Sequence, residues 1–385
     1  MSAKHLWSGS LSLLSLLLAT HCLGAQPGNP SPLRPSPDFF FVATDGNDQW
    51  SGRLPSPKPD GTDGPYATLG RALKATRALN QQSATPKRRL TIWVRGGSYF
   101  LDQPLVLEPE DSGLLLACHP GETPILSGGR PVTDWREITL DGKKLWAADV
   151  PAARGGKWLF HELWVNGRRA VRARHPDKGY LAVAELPDKT SNWSAGQSRF
   201  RFREGDLKAW NTVTNAEVVV MTKWVESRLP VLAVDEKERL VCFAKRSVFA
   251  LEPGDLYYAE GALDFLDQPG QWCLDSAAGT LYYWPRPGEI LDQVQAVAPV
   301  LAQVLRFEGR PQAGQLIENI TLTGLTFSHT EWCFPHGFST GEHAPVIDPA
   351  PAAEVGGFGQ ADIGVPGAVW GQGARRCVFQ MCAFS

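Results

Sequence analysis

The stretches Asn319-Ile-Thr-Leu-Thr-Gly-Leu-Thr-Phe-Ser328 and Arg376-Cys-Val-Phe-Gln-Met-Cys-Ala-Phe-Ser385 share one hydrophobic pattern. In each stretch apolar residues occupy the second, fourth, seventh and ninth positions, so that Leu322 corresponds to Phe379. Alternation with an offset in the middle is typical of two short strands joined by a kink. Both strands then direct their apolar side chains into the same interior.

A repeated kinked strand predicts successive coils of a solenoid, because a single coil cannot bury its apolar face alone. The predicted fold class is therefore all-β, and specifically a parallel β-helix. Cys377 and Cys382 fall on inward positions opposite Ile320 and Leu325, where cysteine acts as a small hydrophobe. Since Ser385 ends the second stretch, we expect the coils to be incomplete at the C-terminus.

The N-terminus has the pattern of an export signal. An apolar run at Leu11–Ala19 is too short to span a membrane, and small residues precede Gln26. Residues 1–25 are predicted to be a signal peptide, and the proline-rich residues 26–37 a linker. The expected location is therefore secreted or periplasmic.

Residues 38–130 are predicted to form an N-terminal cap and the first β-helix coils. The apolar stripe Leu69, Ala72, Leu73 and Thr76 has helical spacing, and Thr68 is a suitable N-cap. A short amphipathic helix here would cover the open end of the solenoid and prevent edge pairing.

Residues 131–296 have a different texture, with charged and aromatic residues alternating between turns. Asn166-Gly167 lies between two short strand patterns and is a strong two-residue hairpin signal. We predict an inserted, β-sandwich-like domain here, and resumed β-helix coils in residues 297–385.

A run of arginines follows this hairpin. Strand alternation would place Arg168, Arg172 and Arg174 on one face. Such a face could dock an acidic polysaccharide, but a solvated face paired with local acids is the commoner outcome.

Composition excludes some classes of function. The formal net charge is −2 and 43% of the residues are hydrophobic, which gives no support for nucleic-acid binding. The seven cysteines form no CxxC pair, so neither a zinc site nor any other cofactor is predicted.

The long Gly- and Pro-rich excursion from Glu331 to Gln372 is the expected functional region, since irregular loops on a rigid scaffold tend to carry function. Asp362 and Glu331 are the candidate catalytic residues, although either would equally suit a solvated loop.

Three histidines recur every seven residues in and before this excursion. A metal site is one interpretation, but glycine and proline between the histidines make the required helix unlikely. Sugar contact is the favoured interpretation, because histidines hydrogen-bond hydroxyl groups and an indole can stack on a sugar ring. The predicted substrate-binding residues are His329, Trp332, His336 and His343.

Several stretches carry a resemblance to a known family. They are Phe41–Asp48, Gly64–Leu69, Val94–Tyr99, Leu163–Pro176, Gly270–Pro285 and Ile363–Val369. Together they resemble secreted right-handed parallel β-helix proteins, and most specifically glycoside hydrolase family 141. The resemblance implies hydrolysis of plant-type polysaccharide, including fucosidase and xylanase activities, with an acidic pair on later coils.

Two other functions remain open. The alternative is a non-catalytic polysaccharide-binding or cell-surface β-helix protein. A polysaccharide lyase ranks last, because the sequence shows no acidic calcium-binding cluster. A polysaccharide or oligosaccharide is the expected partner in each case, with no nucleic acid and no membrane span, and the oligomeric state is left open.

Overall fold

A computed structural model gives the structure of residues 38–81, 89–331, 355–357 and 366–385. The signal peptide and linker predicted from the sequence lie outside these residues. The described part is mostly strands with one α-helix, α1 (Leu69–Gln81), which makes the chain all-β. Within these ranges, no helix has the length and apolar character that crossing a membrane requires.

Short strands follow one another along the described chain. In chain order they are β1 (Phe39–Val42), β2 (Thr91–Val94), β3 (Gly97–Phe100), β4 (Leu105–Leu107), β5 (Leu115–Cys118), β6 (Pro124–Ser127), β7 (Gly129–Val132), β8 (Arg136–Leu140), β9 (Lys143–Asp149), β10 (Trp164–Val165), β11 (Arg168–Arg169), β12 (Val171–Arg172), β13 (Arg174–His175), β14 (Leu181–Ala182), β15 (Arg199–Arg201), β16 (Glu217–Thr222), β17 (Val225–Asp235), β18 (Leu240–Phe243), β19 (Leu256–Glu260), β20 (Gln271–Asp275), β21 (Thr280–Tyr283), β22 (Ala296–Pro299), β23 (Leu305–Glu308), β24 (Ile317–Glu318), β25 (Thr321–Thr323), β26 (Thr326–Ser328), β27 (Val369–Gln372), β28 (Ala374–Arg375), β29 (Val378–Gln380) and β30 (Ala383–Phe384). Short 3-10 helices span Pro109–Asp111, Pro151–Gly156, Val213–Asn215, Leu263–Phe265, Leu291–Gln293 and Pro311–Ala313.

Strands from both ends of the chain form parallel sheets. The first has the order β1-β2-β5-β25-β29, the second β3-β6-β26-β30 and the third β4-β23-β27, while β24 pairs with β28. Strand β5 pairs directly with β25, about two hundred residues later in the chain, and β6 likewise pairs with β26. The parallel ladders therefore pass from early to late residues without a break.

The register predicted for the two C-terminal stretches is confirmed. Leu322 pairs with Phe379, and Phe327 with Phe384. The kink repeats as well, since Gly324 and Met381 at equivalent positions both have positive φ angles, of 68° and 52°. Glycine is required in the first stretch because a Cβ at Gly324 would lie 2.2 Å from the Sγ of Cys118.

Helix α1 begins and packs as the sequence predicts. The Thr68 hydroxyl accepts the backbone N–H of Arg71 at 3.1 Å, which caps the first turn. The predicted stripe is buried: Leu69, Ala72, Leu73 and Thr76. Its apolar members belong to the same core cluster as the interior residues of the parallel sheets.

Residues between β6 and β23 form mainly antiparallel sheets. Their orders are β11-β10-β22-β7, β12-β20-β21-β9-β8 and β13-β19-β16-β17-β18-β15. The predicted hairpin is present, because Trp164 pairs with Arg169 across Asn166 and Gly167, which both have positive φ. Two further hydrophobic clusters, one around Phe200 and Tyr257 and one around Trp272, form the cores of this region.

Candidate functional site

Glu331, a candidate from the sequence, lies just beyond β26 and is held by the antiparallel region. Its backbone N–H donates to the carbonyl oxygen of Leu301 at 2.9 Å. Its carboxylate accepts the backbone N–H of His161 at 3.0 Å, and its other oxygen lies 3.7 Å from the His161 Nδ1. The start of the long excursion is thereby attached to the loop that precedes β10.

The other side of the His161 ring faces a second carboxylate. Its Nε2 lies 3.5 Å from an oxygen of Glu217, the first residue of β16. Glu217 is directly opposite Glu260 on the neighbouring strand β19, a pairing of like charges that would be destabilising by itself. Arg172 resolves this repulsion, because its Nη1 donates to Glu217 at 2.7 Å and to Glu260 at 2.8 Å.

A second arginine completes the arrangement. Arg228 on β17 donates to Glu260 at 2.8 Å and to Glu226 at 2.8 Å, with its side chain only 8% exposed. We refer to the following six residues as the charge cluster: His161, Arg172, Glu217, Arg228, Glu260 and Glu331. Its members come from the parallel and the antiparallel regions, so it joins the two.

The excursion touches this cluster again further along the chain. The backbone N–H of Arg228 donates to the carbonyl oxygen of Gly356 at 2.7 Å. The backbone N–H of Gly356 donates to the carbonyl oxygen of Arg246 at 2.9 Å. A Cβ at Gly356 would lie 2.4 Å from the Arg228 carbonyl oxygen, so only glycine permits this approach. Both Glu331 and Gly356 are therefore tied to residues around one group of buried charges.

The electrostatics around Glu217 favour its ionised form. Burial by itself raises the pKa of the Glu217 carboxyl, but His161 and Arg172 outweigh burial and hold that pKa well below its usual value. A general acid in glycoside hydrolysis needs a raised carboxyl pKa. Glu217 is thus suited to fixing neighbouring groups by charge and not to protonating a leaving group.

The three arginines do not share one face, either for docking an acidic polysaccharide or for pairing with local acids in solvent. Arg168 is exposed, Arg174 lies over the Tyr258 ring at 4.0 Å, and Arg172 is a partly buried member of the charge cluster. These three residues belong to three separate short strands, so the alternation assumed from the sequence is interrupted between them.

His329, a predicted sugar contact, lies in the protein interior. Only 8% of the residue is exposed, its Nδ1 is 2.8 Å from the Ser127 hydroxyl, and Trp164 meets its ring edge-on at 5.1 Å. In the described structure the ring packs between β6 and β10. Its role in substrate binding stays a prediction.

The burial of His329 leads to a testable pH dependence. Burial lowers the pKa of His329 to about 4, whereas an unfolded histidine titrates near pH 6.5. The stability that comes from keeping this ring neutral is therefore complete above pH 6.5 and is lost as the pH falls towards 4. Between pH 7 and pH 4.5 we expect the wild type to lose about 2 kcal/mol more unfolding free energy than the His329→Asn variant loses.

The measurement is urea unfolding of the wild type and the variant at several pH values. Asparagine tolerates the positive φ of 59° at this position, so the backbone is preserved. Other groups titrate alike in both proteins, so the difference between the two curves isolates His329. Parallel curves from pH 7 to 4.5 would contradict the assignment.

The remaining candidates lie outside the described residues: Asp362, Trp332, His336 and His343. Across residues 38–81, 89–331, 355–357 and 366–385, no group of three or more histidine, cysteine or acidic side chains is arranged to hold a metal ion.

Comparison with known proteins adds one informative likeness. No family model and no curated protein matches the chain. A solved structure described as a glycoside hydrolase matches at 26% identity with a TM-score of 0.61, covering 77% of this chain and 51% of its own. The fold is glycoside hydrolase-like. The chain spans about half the length of that structure.

A second solved structure is described as XylC in complex with xylose. It matches at 13% identity with a TM-score of 0.30, over 77% of this chain and 36% of its own. That score is too low to indicate a shared fold.

The sequence interpretation missed most of the charge cluster in this glycoside hydrolase-like chain. His161, Glu217 and Glu260 received no role, although acids in otherwise apolar strands such as Glu217-Val-Val-Val were a visible signal. A charge at the end of a buried strand needs a partner, and arginine is the usual one. Arg172 was noticed, but its partners lie 45 and 88 residues away.

Proposed function

We propose that this protein is a secreted or periplasmic carbohydrate-active protein whose activity is hydrolysis of glycosidic bonds in plant-type polysaccharide. The observation that carries the proposal is the likeness to a solved glycoside hydrolase at 26% identity and a TM-score of 0.61. The chain spans about half of that structure, so the activity of a whole relative is proposed here and not inherited.

The finer architecture is part of the proposal. The parallel sheets are interpreted as the faces of a right-handed parallel β-helix, with residues 131–296 inserted between its coils. Direct pairing of β5 with β25 and of β6 with β26 supports this interpretation, because the ladder continues across the intervening residues. Membership of glycoside hydrolase family 141 is proposed on the resembling stretches of sequence.

Paired carboxylates are the proposed chemistry, with Asp362 and Glu331 as the candidates. Glu331 has support from the structure in one respect: its carboxylate is held in a fixed position by the His161 backbone. A positioned carboxylate beside a buried charge network suits a role in orienting the excursion or the substrate.

The test is hydrolysis and binding by the purified protein with xylan and fucosylated xyloglucan. Release of reducing sugars and retardation in polysaccharide-containing gels are measured separately. If the two candidates carry the reaction, Asp362→Asn and Glu331→Gln each lower hydrolysis by about 100-fold or more. Glu137→Gln, which changes an exposed carboxylate on β8, is the matched control and should retain full activity.

The outcomes distinguish the candidate functions. Binding without hydrolysis by the wild type would overturn the enzyme proposal in favour of the non-catalytic polysaccharide-binding protein. Neither binding nor hydrolysis would overturn a carbohydrate function altogether. Hydrolysis that survives both substitutions would remove Asp362 and Glu331 as the catalytic pair.

A further inference from the structure

An exposed aromatic cluster lies at the end of the β16–β17 hairpin. Trp193 and Trp224 are each 57% exposed, with ring centroids 6.1 Å apart and planes tilted by 48°. Phe249 lies beneath both, at 5.3 Å from Trp193 and 4.9 Å from Trp224, and is only 6% exposed. Large exposed aromatic patches on a soluble protein mark sites of interaction.

The scaffold below these indoles is held by a network of hydrogen bonds. The Ala250 N–H donates to the Trp193 carbonyl oxygen at 3.0 Å. The Ser247 hydroxyl donates to the Phe249 carbonyl oxygen at 2.7 Å, and the Gln197 side chain accepts the Leu251 N–H at 2.8 Å. The loops that carry Trp193 and Phe249 are thus joined, so that little conformational entropy is lost when a ligand binds.

Four charged residues close in sequence to the two indoles form two ion pairs. Lys223, next to Trp224, forms an ion pair with Glu252. Arg199, six residues after Trp193, forms a two-point pair with Asp188, at 2.5 and 2.7 Å. Because the charges within each pair cancel, these four side chains present no net charge to an ionised ligand.

We propose that Trp193 and Trp224 form a binding platform for a neutral pyranose chain, whose C–H faces stack on the two indole rings. The choice of a sugar rests on the proposed carbohydrate function, and the choice of a neutral one on the paired charges. An indole suits this task because its large flat face is apolar while its edge stays hydrated.

The platform lies at the turn of the β16–β17 hairpin, and the charge cluster lies further along its two strands. Trp224 is seven residues after Glu217, the first residue of β16, and four residues before Arg228 on β17. Four residues of extended strand span about 13 Å. The platform therefore holds the polymer beside the candidate catalytic region.

The experiment measures binding of the full chain and its variants to xylan, mixed-linkage β-glucan and polygalacturonate by affinity gel electrophoresis. We expect Trp193→Ala and Trp224→Ala each to weaken binding to a neutral polysaccharide about tenfold, the loss of one stacking ring. Phe100→Ala, an exposed aromatic on β3, is the control and should bind as the wild type does. Trp224→Tyr retains a ring and should keep most of the affinity.

Several results would overturn the proposal. They are unchanged binding in folded tryptophan variants, stronger binding of polygalacturonate than of the neutral polymers, and a tryptophan-dependent dimer in light scattering without any effect on binding. Circular dichroism establishes that each variant is folded, and Trp224→Tyr serves if an alanine variant is not. Hydrolysis is assayed independently, so failure of the enzyme proposal with intact tryptophan-dependent binding leaves the platform supported.

Discussion

Replacing Phe327 by alanine is expected to lower the free energy of unfolding by about 3 to 5 kcal/mol. Phe327 on β26 is 1% exposed and belongs to the core cluster enclosed by the parallel sheets. Its ring stacks on Phe384 at 5.2 Å and meets Phe379 at 6.2 Å. Loss of the ring removes apolar burial and leaves a cavity that the surrounding strands cannot close.

The matched control lies on β30, the strand that pairs with β26. Phe384 occupies the equivalent position and makes the same ring contact, but it is 57% exposed. We expect Phe384→Ala to lower the free energy of unfolding by only about 1 kcal/mol or less. Urea unfolding followed by circular dichroism measures both. Equal losses of unfolding free energy in the two variants would show that Phe327 is not more buried than Phe384.

Replacing Glu260 by alanine is expected to destabilise the protein by about 3 kcal/mol. Glu260 accepts hydrogen bonds from Arg172 and Arg228, and the two arginine side chains are 15% and 8% exposed. Its removal places two guanidinium groups in a poorly solvated site with one carboxylate fewer. The loss falls at the lower end for buried pairs, because Glu217 and Glu226 remain as partners.

Glu226→Ala tests whether burial causes the effect. Glu226 also pairs with Arg228 at 2.8 Å, but its side chain is 27% exposed. Partial hydration makes its removal cost only about 1 kcal/mol or less. Thermal and urea unfolding of both variants at neutral pH provide the measurement. If Glu226→Ala lowers the free energy of unfolding as much as Glu260→Ala, burial does not determine how much each carboxylate–arginine pair contributes to stability.

Local patterns were sufficient for several elements. Helix α1 and the Asn166-Gly167 hairpin each follow from periods and turn residues within about fifteen positions. The pairing of Leu322 with Phe379 follows from one short pattern that occurs in two separate stretches. Hydrophobic periodicity reports which side chains share a face, and this information is contained in neighbouring residues. For that reason the pairing register of the two C-terminal stretches was predictable to the residue.

The candidate site was predictable only in small part. Glu331 was chosen for its place in a long excursion, but its attachment to His161 joins residues that are 170 positions apart. Likewise, Trp193 and Trp224 come together through different loops over Phe249, and neither exposure nor ring geometry is encoded in local spacing. The burial of His329 was not foreseen either, since a single histidine beside a strand has no periodic signal of burial.

The amino-acid sequence alone determined the all-β class, helix α1 and the repeated C-terminal stretch, because each depends on the period of apolar side chains along a short segment. Tertiary structure alone decided which charges met. Arg172, Glu217 and Glu260 lie on three different strands, β12, β16 and β19. Pairing of β16 with β19 places the two carboxylates opposite each other, and the Arg172 guanidinium binds both. The physical reason is that electrostatic pairing depends on distance in space, and strand order converts distant sequence positions into neighbours.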